Sequence, residues 1–323
     1  KVSTAHYVFP ALYCNLKRAD FLKYLPQELV SYMEYITNIN RERNEQIIFQ
    51  AKELNTLLLA NNITPIFLKG TGNLLAGLYE DIAERMVGDI DFLVSKKEFF
   101  STIEIFKNNS YGKEENQKDF NTRNRHYTRL VKKVHIAAVE IHKEITTEKY
   151  MNEFNYSFIE KDIQFIKGVT VLSYANKLNL SIIANQINDD GFYYKTMDLR
   201  NAYDVFLLSK KTNAKDAMNG LEKLTNPLNC FLAACYEIFN TVDSLEYNKT
   251  KGTALYLRDF NSQFTNPIRK KRISKNIVKR ILYILYKFII IKGYRVWLFN
   301  LLIDKDWQHE KLVRLGIKSE RFK

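Results

Sequence analysis

The sequence predicts an α+β fold: a small mixed sheet flanked by helices, with N-terminal helices before it and a mainly helical C-terminal region after it. Three observations carry that expectation. Short apolar runs bounded by turn residues, at 65–68 and 87–94, read as strands. Stretches on either side, such as 27–60 and 174–187, repeat their apolar residues at helical spacing. The chain of 323 residues is 46% hydrophobic, with 20 Tyr and 21 Phe, enough for two domains or for one core with helical additions. The expected divisions are a helical segment over 1–60, the sheet-bearing core over 61–170, a helical domain over 171–260, and basic, amphipathic helices over 261–323.

Residues 1–26 are mixed, with Pro10 and Pro26 as punctuation, and are expected to hold short helices. From 27 to 60, Leu29, Met33, Ile36, Ile47, Ile48, Ala51, Leu54 and Leu58 recur at helical spacing. They give two helices, or one long helix interrupted near 38–44. Asn61 and Asn62 end it, and Pro65 prevents its continuation. A strand over 66–68, a turn at Gly70 and a helix over about 73–79 follow. Then come a loop over 81–86, a strand over 89–94 and a helix over 98–108.

The polar stretch 109–124 reads as a loop. Strands over 127–131 and 134–142 are joined tightly through Lys132 and Lys133. On the second, Val134, Ile136, Ala138, Glu140 and His142 share a face, and an acid in the middle of such a strand calls for an explanation. From Ser173, an N-cap residue, the chain is mostly helical: 174–187, 197–209, 226–241 and 268–303, with a turn at Asp189-Asp190-Gly191.

The net charge of +13 is uneven. Residues 261–300 hold ten Lys and Arg (Arg269, Lys270, Lys271, Arg272, Lys275, Lys279, Arg280, Lys287, Lys292, Arg295) and no Asp or Glu. That segment faces something anionic or is solvated. Its apolar run 281–291 is shorter than the roughly 20 residues of a membrane span. With its basic flanks it either lies on an anionic membrane surface or forms a core helix with a solvated end; no recognisable module accompanies it to favour nucleic acid. Cys14, Cys230 and Cys235 offer neither a pairing framework nor zinc spacing and read as reduced thiols of a cytoplasmic protein, peripheral at the inner face of the membrane if the basic segment docks there. The chain opens on Lys1 without a basic-then-apolar leader, and its native start is expected outside or just before this numbering.

The chemistry concentrates in two stretches. Asp89 and Asp91 flank Ile90 on a predicted strand, so both carboxylates project to one side. Carboxylates a few Å apart repel, and such a pair is stable mainly with a cation between them; hard oxygen donors suit Mg²⁺. Upstream, Gly70 lets the backbone approach a ligand ahead of a helix. A phosphate cradle beside a metal-binding pair suggests phosphoryl or nucleotidyl chemistry.

The order Leu68-Lys69-Gly70-Thr71, a helix, Arg85, Gly88-Asp89-Ile90-Asp91-Phe92-Leu93-Val94 and then Val139-Glu140-Ile141-His142 resembles the minimal nucleotidyltransferase superfamily. Within it the chain is most similar to the bacterial uncharacterised nucleotidyltransferase family, often encoded among surface-polysaccharide genes. The resemblance spans roughly 63–209, where Ser173, Asp198-Leu199-Arg200 and Asp204 also fit. It implies a polymerase-β-like core. It also implies two divalent ions, Mg²⁺ or alternatively Mn²⁺, held by Asp89, Asp91 and Glu140 and gripping a nucleoside triphosphate. It gives Gly70 and Thr71 to the phosphates, and Lys69 and Arg85 to the departing pyrophosphate. His142, Arg200 and Asp204 are secondary candidates. The chain departs from the pattern in having Thr71 where Ser is commoner and Glu140 where Asp is commoner.

Plainer roles stand beside these. Asp89 and Asp91 could face water at a strand end, and Glu140 could pair with Lys133 or His135 across the sheet. Lys69 could be solvated, and Arg85 could pair with Glu84 or Asp81. Arg200 and Asp204, four apart, suit an intrahelical pair. His142 suits a structural role, and Tyr193 and Tyr194 suit core packing over stacking on a base. The expected activity is Mg²⁺-dependent transfer of a nucleoside monophosphate, or a related phosphoryl group, from a triphosphate to an acceptor hydroxyl. Family analogy suggests a sugar or glycan intermediate as acceptor. The competing expectations are a metal-dependent glycosyltransferase using a nucleotide-sugar, a catalytically silent protein of the same fold, and a toxin-like transferase acting on tRNA or protein.

Overall fold

The computed structural model describes residues 1–113, 125–265, 269–290, 292–303, 305 and 308. By contacts the chain divides into two compact units, Lys1–Asn261 and Ser262–Lys323. The fold is mixed α+β. In chain order its elements begin with α1 (Val2–Ala5), α2 (Phe9–Arg18), α3 (Gln27–Leu59), β1 (Ile66–Phe67), α4 (Lys69–Leu75), β2 (Asp89–Leu93) and α5 (Phe99–Asn108). Then come β3 (Gly112–Lys113), β4 (Leu130–Val131), β5 (Ala138–His142), α6 (Tyr156–Ile159), β6 (Ile163–Ile166), β7 (Val169–Leu172) and α7 (Tyr174–Ile183). Helices α8 (Gly191–Tyr194), α9 (Leu199–Ser209), α10 (Thr225–Ile238), α11 (Lys251–Thr265), α12 (Arg269–Ile290) and α13 (Lys292–Ile303) complete the order.

The strands form one sheet, ordered β3-β4-β5-β2-β1-β7-β6. Pairing is parallel for β2–β5 and β1–β7 and antiparallel for the rest. Ile90, Phe92, Val139 and Ile141 are completely buried on one face of the central strands, which leaves the acidic positions on the other.

Helix α3 runs unbroken for 33 residues, about 50 Å at 1.5 Å per residue. The asparagines that suggested an interruption are buried and clamp the neighbouring loop. Asn40 donates to the carbonyl of Ala83 at 2.7 Å, and Asn44 donates to Ile82 at 2.6 Å and Arg85 at 2.7 Å. Further along, Gln50 exchanges two hydrogen bonds with the backbone of Ala137. A helix can bury amides in this way because each finds an otherwise unpaired main-chain group. The loop itself is shaped by a capping box, in which Asp81 accepts from Ala83 N–H and Glu84 accepts from Asp81 N–H. Arg41 holds Asp81 at 2.6 Å and Arg18 holds Glu84 at 2.6 Å, fixing the approach to β2.

Several boundaries differ from the sequence expectation. Helix α4 begins at Lys69 rather than near 73, straight after β1, and ends before Gly77, whose φ is +65°. This early start requires Gly72: a Cβ there would stand 2.5 Å from the carbonyl oxygen of Phe67. Strand β5 starts at Ala138, because residues 132–137 turn instead, with His135 N–H donating to Lys132 and Val134 79% exposed. Positions 114–124 of the expected loop lie outside the described residues, and Gly112–Lys113 form an edge strand.

The β6–β7 hairpin went unassigned, although Lys167-Gly168 between two apolar runs is a two-residue turn signal; both residues have positive φ, +48° and +83°. At α7, Ser173 Oγ accepts from Asn176 N–H at 3.2 Å, as an N-cap should. All three cysteines are buried free thiols.

The packing of α4 on β1 gives a test. Gly72→Ala is expected to lower stability by about 1–3 kcal/mol, the usual cost of overpacking, in urea unfolding at unchanged m-value. A loss below 0.5 kcal/mol, within the range of a neutral surface change (about ±0.5 kcal/mol), would contradict this account of the helix–strand contact.

Candidate active site

The parallel register of β2 and β5 aligns Asp91 with Glu140 and Leu93 with His142. Asp89 and Asp91 are two apart on one strand, and Glu140 and His142 are two apart on its neighbour, so all four side chains emerge from one face. Asp91 is buried, at 7% exposure, and Asp89 and Glu140 are half-buried.

Two cations meet these acids. Lys69 opens α4 with φ +49°, a left-handed conformation that costs a non-glycine residue energy. The amide just before it, that of Leu68, donates to the Asp91 carbonyl at 2.9 Å, and its own Nζ donates to Asp91 Oδ1 at 2.6 Å and stands 3.9 Å from Glu140 Oε2. Arg129 pairs with Asp89, and its Nε lies 3.7 Å from Glu140 Oε1. His142 Nε2 lies 2.8 Å from Asp91 Oδ1 and 3.6 Å from Glu140 Oε2.

The Asp91 carboxyl is the most perturbed acid of the group. Burial pushes it up, but the Lys69 ammonium and then the His142 hydrogen bond outweigh burial and hold it well below the usual carboxylate range. Asp91, Glu140 and His142 each offer a ligand atom, all within 4.8 Å of one another. A donor set of two carboxylates and an imidazole, with Asp89 beside it, fits a divalent cation. Within this set, the Nδ1 of His142 is buried with no hydrogen-bond partner in the protein. The ring is turned so that Nε2 serves the carboxylates.

The remaining candidates sit around this cluster in different roles. Thr71 is buried, and its hydroxyl donates to the carbonyl of Asp89 at 3.0 Å, tying α4 to β2. Gly70 is buried above the Arg85 guanidinium; a Cβ there would lie 3.7 Å from Arg85 Cζ and 2.9 Å from Val87 Cγ2. Arg85 pairs with neither Glu84 nor Asp81 but with Asp204 on α9, Nε to Oδ2 at 3.0 Å, while Tyr79 donates to the other Asp204 oxygen at 2.8 Å. This buried network braces the underside of α4, and breaking such a pair costs about 3–5 kcal/mol. Arg200 lies 3.6 Å from Asp198 and stacks over Tyr7, so the expected intrahelical pair with Asp204 gives way to the Arg85 pair. Glu140 has Lys69, Arg129 and His142 as neighbours, in place of Lys133 or His135. Tyr193 and Tyr194 pack edge to face, with centroids 5.1 Å apart.

Sequence reasoning missed Arg129 and Arg125. Strand β4 pairs Leu130 with Val139, so Arg129 falls opposite Glu140, a cross-strand charge pair that register alone would have found. Arg125 donates to the Ile145 carbonyl at 3.1 Å and stands within electrostatic reach of Asp189, Glu140 and Asp91. Elsewhere, a cavity of about 420 Å³ lies between α3 and the 134–136 turn. Its lining includes Glu45 and Glu53 but no convergent ligand set, so the chemistry is placed at the carboxylate cluster.

A family model described as uncharacterised nucleotidyltransferase matches residues 1–242 of the 323. No curated protein and no solved structure matches the chain.

The depressed Asp91 carboxyl has a consequence for stability. A carboxyl whose folded pKa lies below its unfolded value, about 3.9 for Asp, stabilises the fold above that value and loses its contribution as pH falls towards the folded one. The stability difference between wild type and Asp91→Asn is therefore expected to be full at pH 6 and to shrink below about pH 4, measured by urea unfolding at each pH. A difference independent of pH would contradict the pairing.

Proposed function

The chain belongs to the uncharacterised nucleotidyltransferase family, and from that premise we propose that it transfers a nucleoside monophosphate from a nucleoside triphosphate to an acceptor hydroxyl with the help of Mg²⁺. The observation that carries this reading is the convergence of Asp91, Glu140 and His142, with Asp89 adjacent, under two cationic side chains. Asp89, Asp91 and Glu140 would hold the divalent ion or ions, which polarise phosphoryl oxygens and lower the charge barrier to in-line displacement. Mn²⁺ would suit the same donors.

The protein's own groups have definable tasks. Lys69 and Arg129 lie against the carboxylates that the donor's phosphates must approach, so they can neutralise charge on the departing pyrophosphate. His142 orients Asp91 through Nε2, a positioning role. In the reaction the acceptor oxygen attacks the α-phosphorus, the bond from that phosphorus to the bridging oxygen breaks, and pyrophosphate leaves. The hydroxyl proton passes to Glu140. Arg85 and Thr71 act on the fold beneath α4, keeping Lys69 in place. A sugar or glycan intermediate is the acceptor class we favour, on family analogy.

The test is pyrophosphate release with each nucleoside triphosphate, together with thermal stabilisation by the same donors in Mg²⁺. One donor is expected to stabilise wild type, by about 2.7 kcal/mol at 100 times its Kd. Asp89→Ala and Asp91→Ala should lower turnover at least about 10²-fold, and Glu140→Gln should keep donor binding while losing turnover. Full activity in either aspartate variant, or no stabilisation by any triphosphate, would overturn the reading.

A further inference from the structure

Helices α12 and α13 belong to the unit Ser262–Lys323. Lys287 links them, its Nζ 4.3 Å from the ring centroid of Tyr283 on α12 and 5.9 Å from that of Tyr294 on α13. Large apolar side chains on both helices face solvent: Leu282 at 57%, Ile289 at 70%, Ile290 at 62% and Phe299 at 66%. Tyr286, an amphipathic side chain, is half exposed among them. The surrounding sequence, 261–300, has ten basic residues and no acidic one.

These two properties together select the partner. A contiguous exposed apolar surface marks an interaction site. A nucleic-acid backbone would use the positive charge but leave the isoleucine and leucine side chains wet. An apolar protein groove would cover those side chains but has no use for an all-basic flank. A lipid surface with anionic headgroups uses both, burying apolar side chains at the headgroup boundary while Lys and Arg meet the phosphates. Among the described residues no helix is long and apolar enough to cross a membrane. We propose that α12 and α13 dock in the plane of an anionic membrane surface, independently of the chemistry at Asp91.

Flotation of the full chain with vesicles tests this, using phosphatidylcholine alone and phosphatidylcholine mixed with phosphatidylglycerol. The full chain should float with the mixed vesicles and not with phosphatidylcholine. Lys270→Gln with Lys271→Gln should lower partitioning about five-fold per charge removed, and added salt should act in the same direction. Leu282→Glu with Ile289→Glu, at solvent-facing positions, should abolish flotation with helix content unchanged by circular dichroism. No flotation with mixed vesicles would overturn the proposal. So would flotation that survives both pairs of substitutions. Lipid-free self-association, or RNA binding without vesicle binding, would assign the surface to those partners instead and equally overturn it.

Discussion

Two carboxylates on neighbouring strands cannot both stay ionised in a poorly hydrated site unless positive charge is supplied next to them. That constraint organises this protein. The parallel register of β2 and β5 fixes Asp91 beside Glu140, and a slip of one residue would turn both into the apolar core that Ile90 and Val139 occupy. Lys69, His142 and Arg129 then answer the negative charge from three other places in the chain: the start of α4, the end of β5 and the edge of β4. The site is therefore electrostatically prepared for a ligand that brings both positive and negative charge, as a metal–triphosphate does.

Much of the remaining architecture serves to keep that arrangement in place. The amides of α3 hold the loop that leads into β2. The Arg85–Asp204 pair reaches from that loop to α9 and supports α4 from beneath, where Gly70 leaves room for the guanidinium. Gly72 lets α4 lie directly on β1, and Thr71 ties it to β2. Residues 69–72 thus anchor α4 with their backbone and short side chains. Only Lys69 reaches the acids.

The fold class, the strand carrying Asp89 and Asp91, and the cap at Ser173 were legible because each is a local pattern: alternation, a turn residue, a capping oxygen. What was not legible was long-range. The asparagines in α3 look like helix breakers in isolation and become clamps only when a loop forty residues away lies against them. The pairing of Arg85 with Asp204 spans 119 residues and no spacing rule reports it. Arg129 meets Glu140 through a strand register that becomes visible only once β4 and β5 are aligned. The β6–β7 hairpin carried an adequate local signal and was passed over.

The central claim is that the Asp91–Glu140 cluster holds a divalent ion together with a triphosphate. Its most direct test is calorimetric titration of Mn²⁺ into wild type and Asp91→Asn, with and without a non-hydrolysable nucleoside triphosphate. The account predicts Mn²⁺ binding that is tightened by the triphosphate and weakened at least about 10-fold in Asp91→Asn. Equal affinity in the two proteins, with or without the nucleotide, would contradict it.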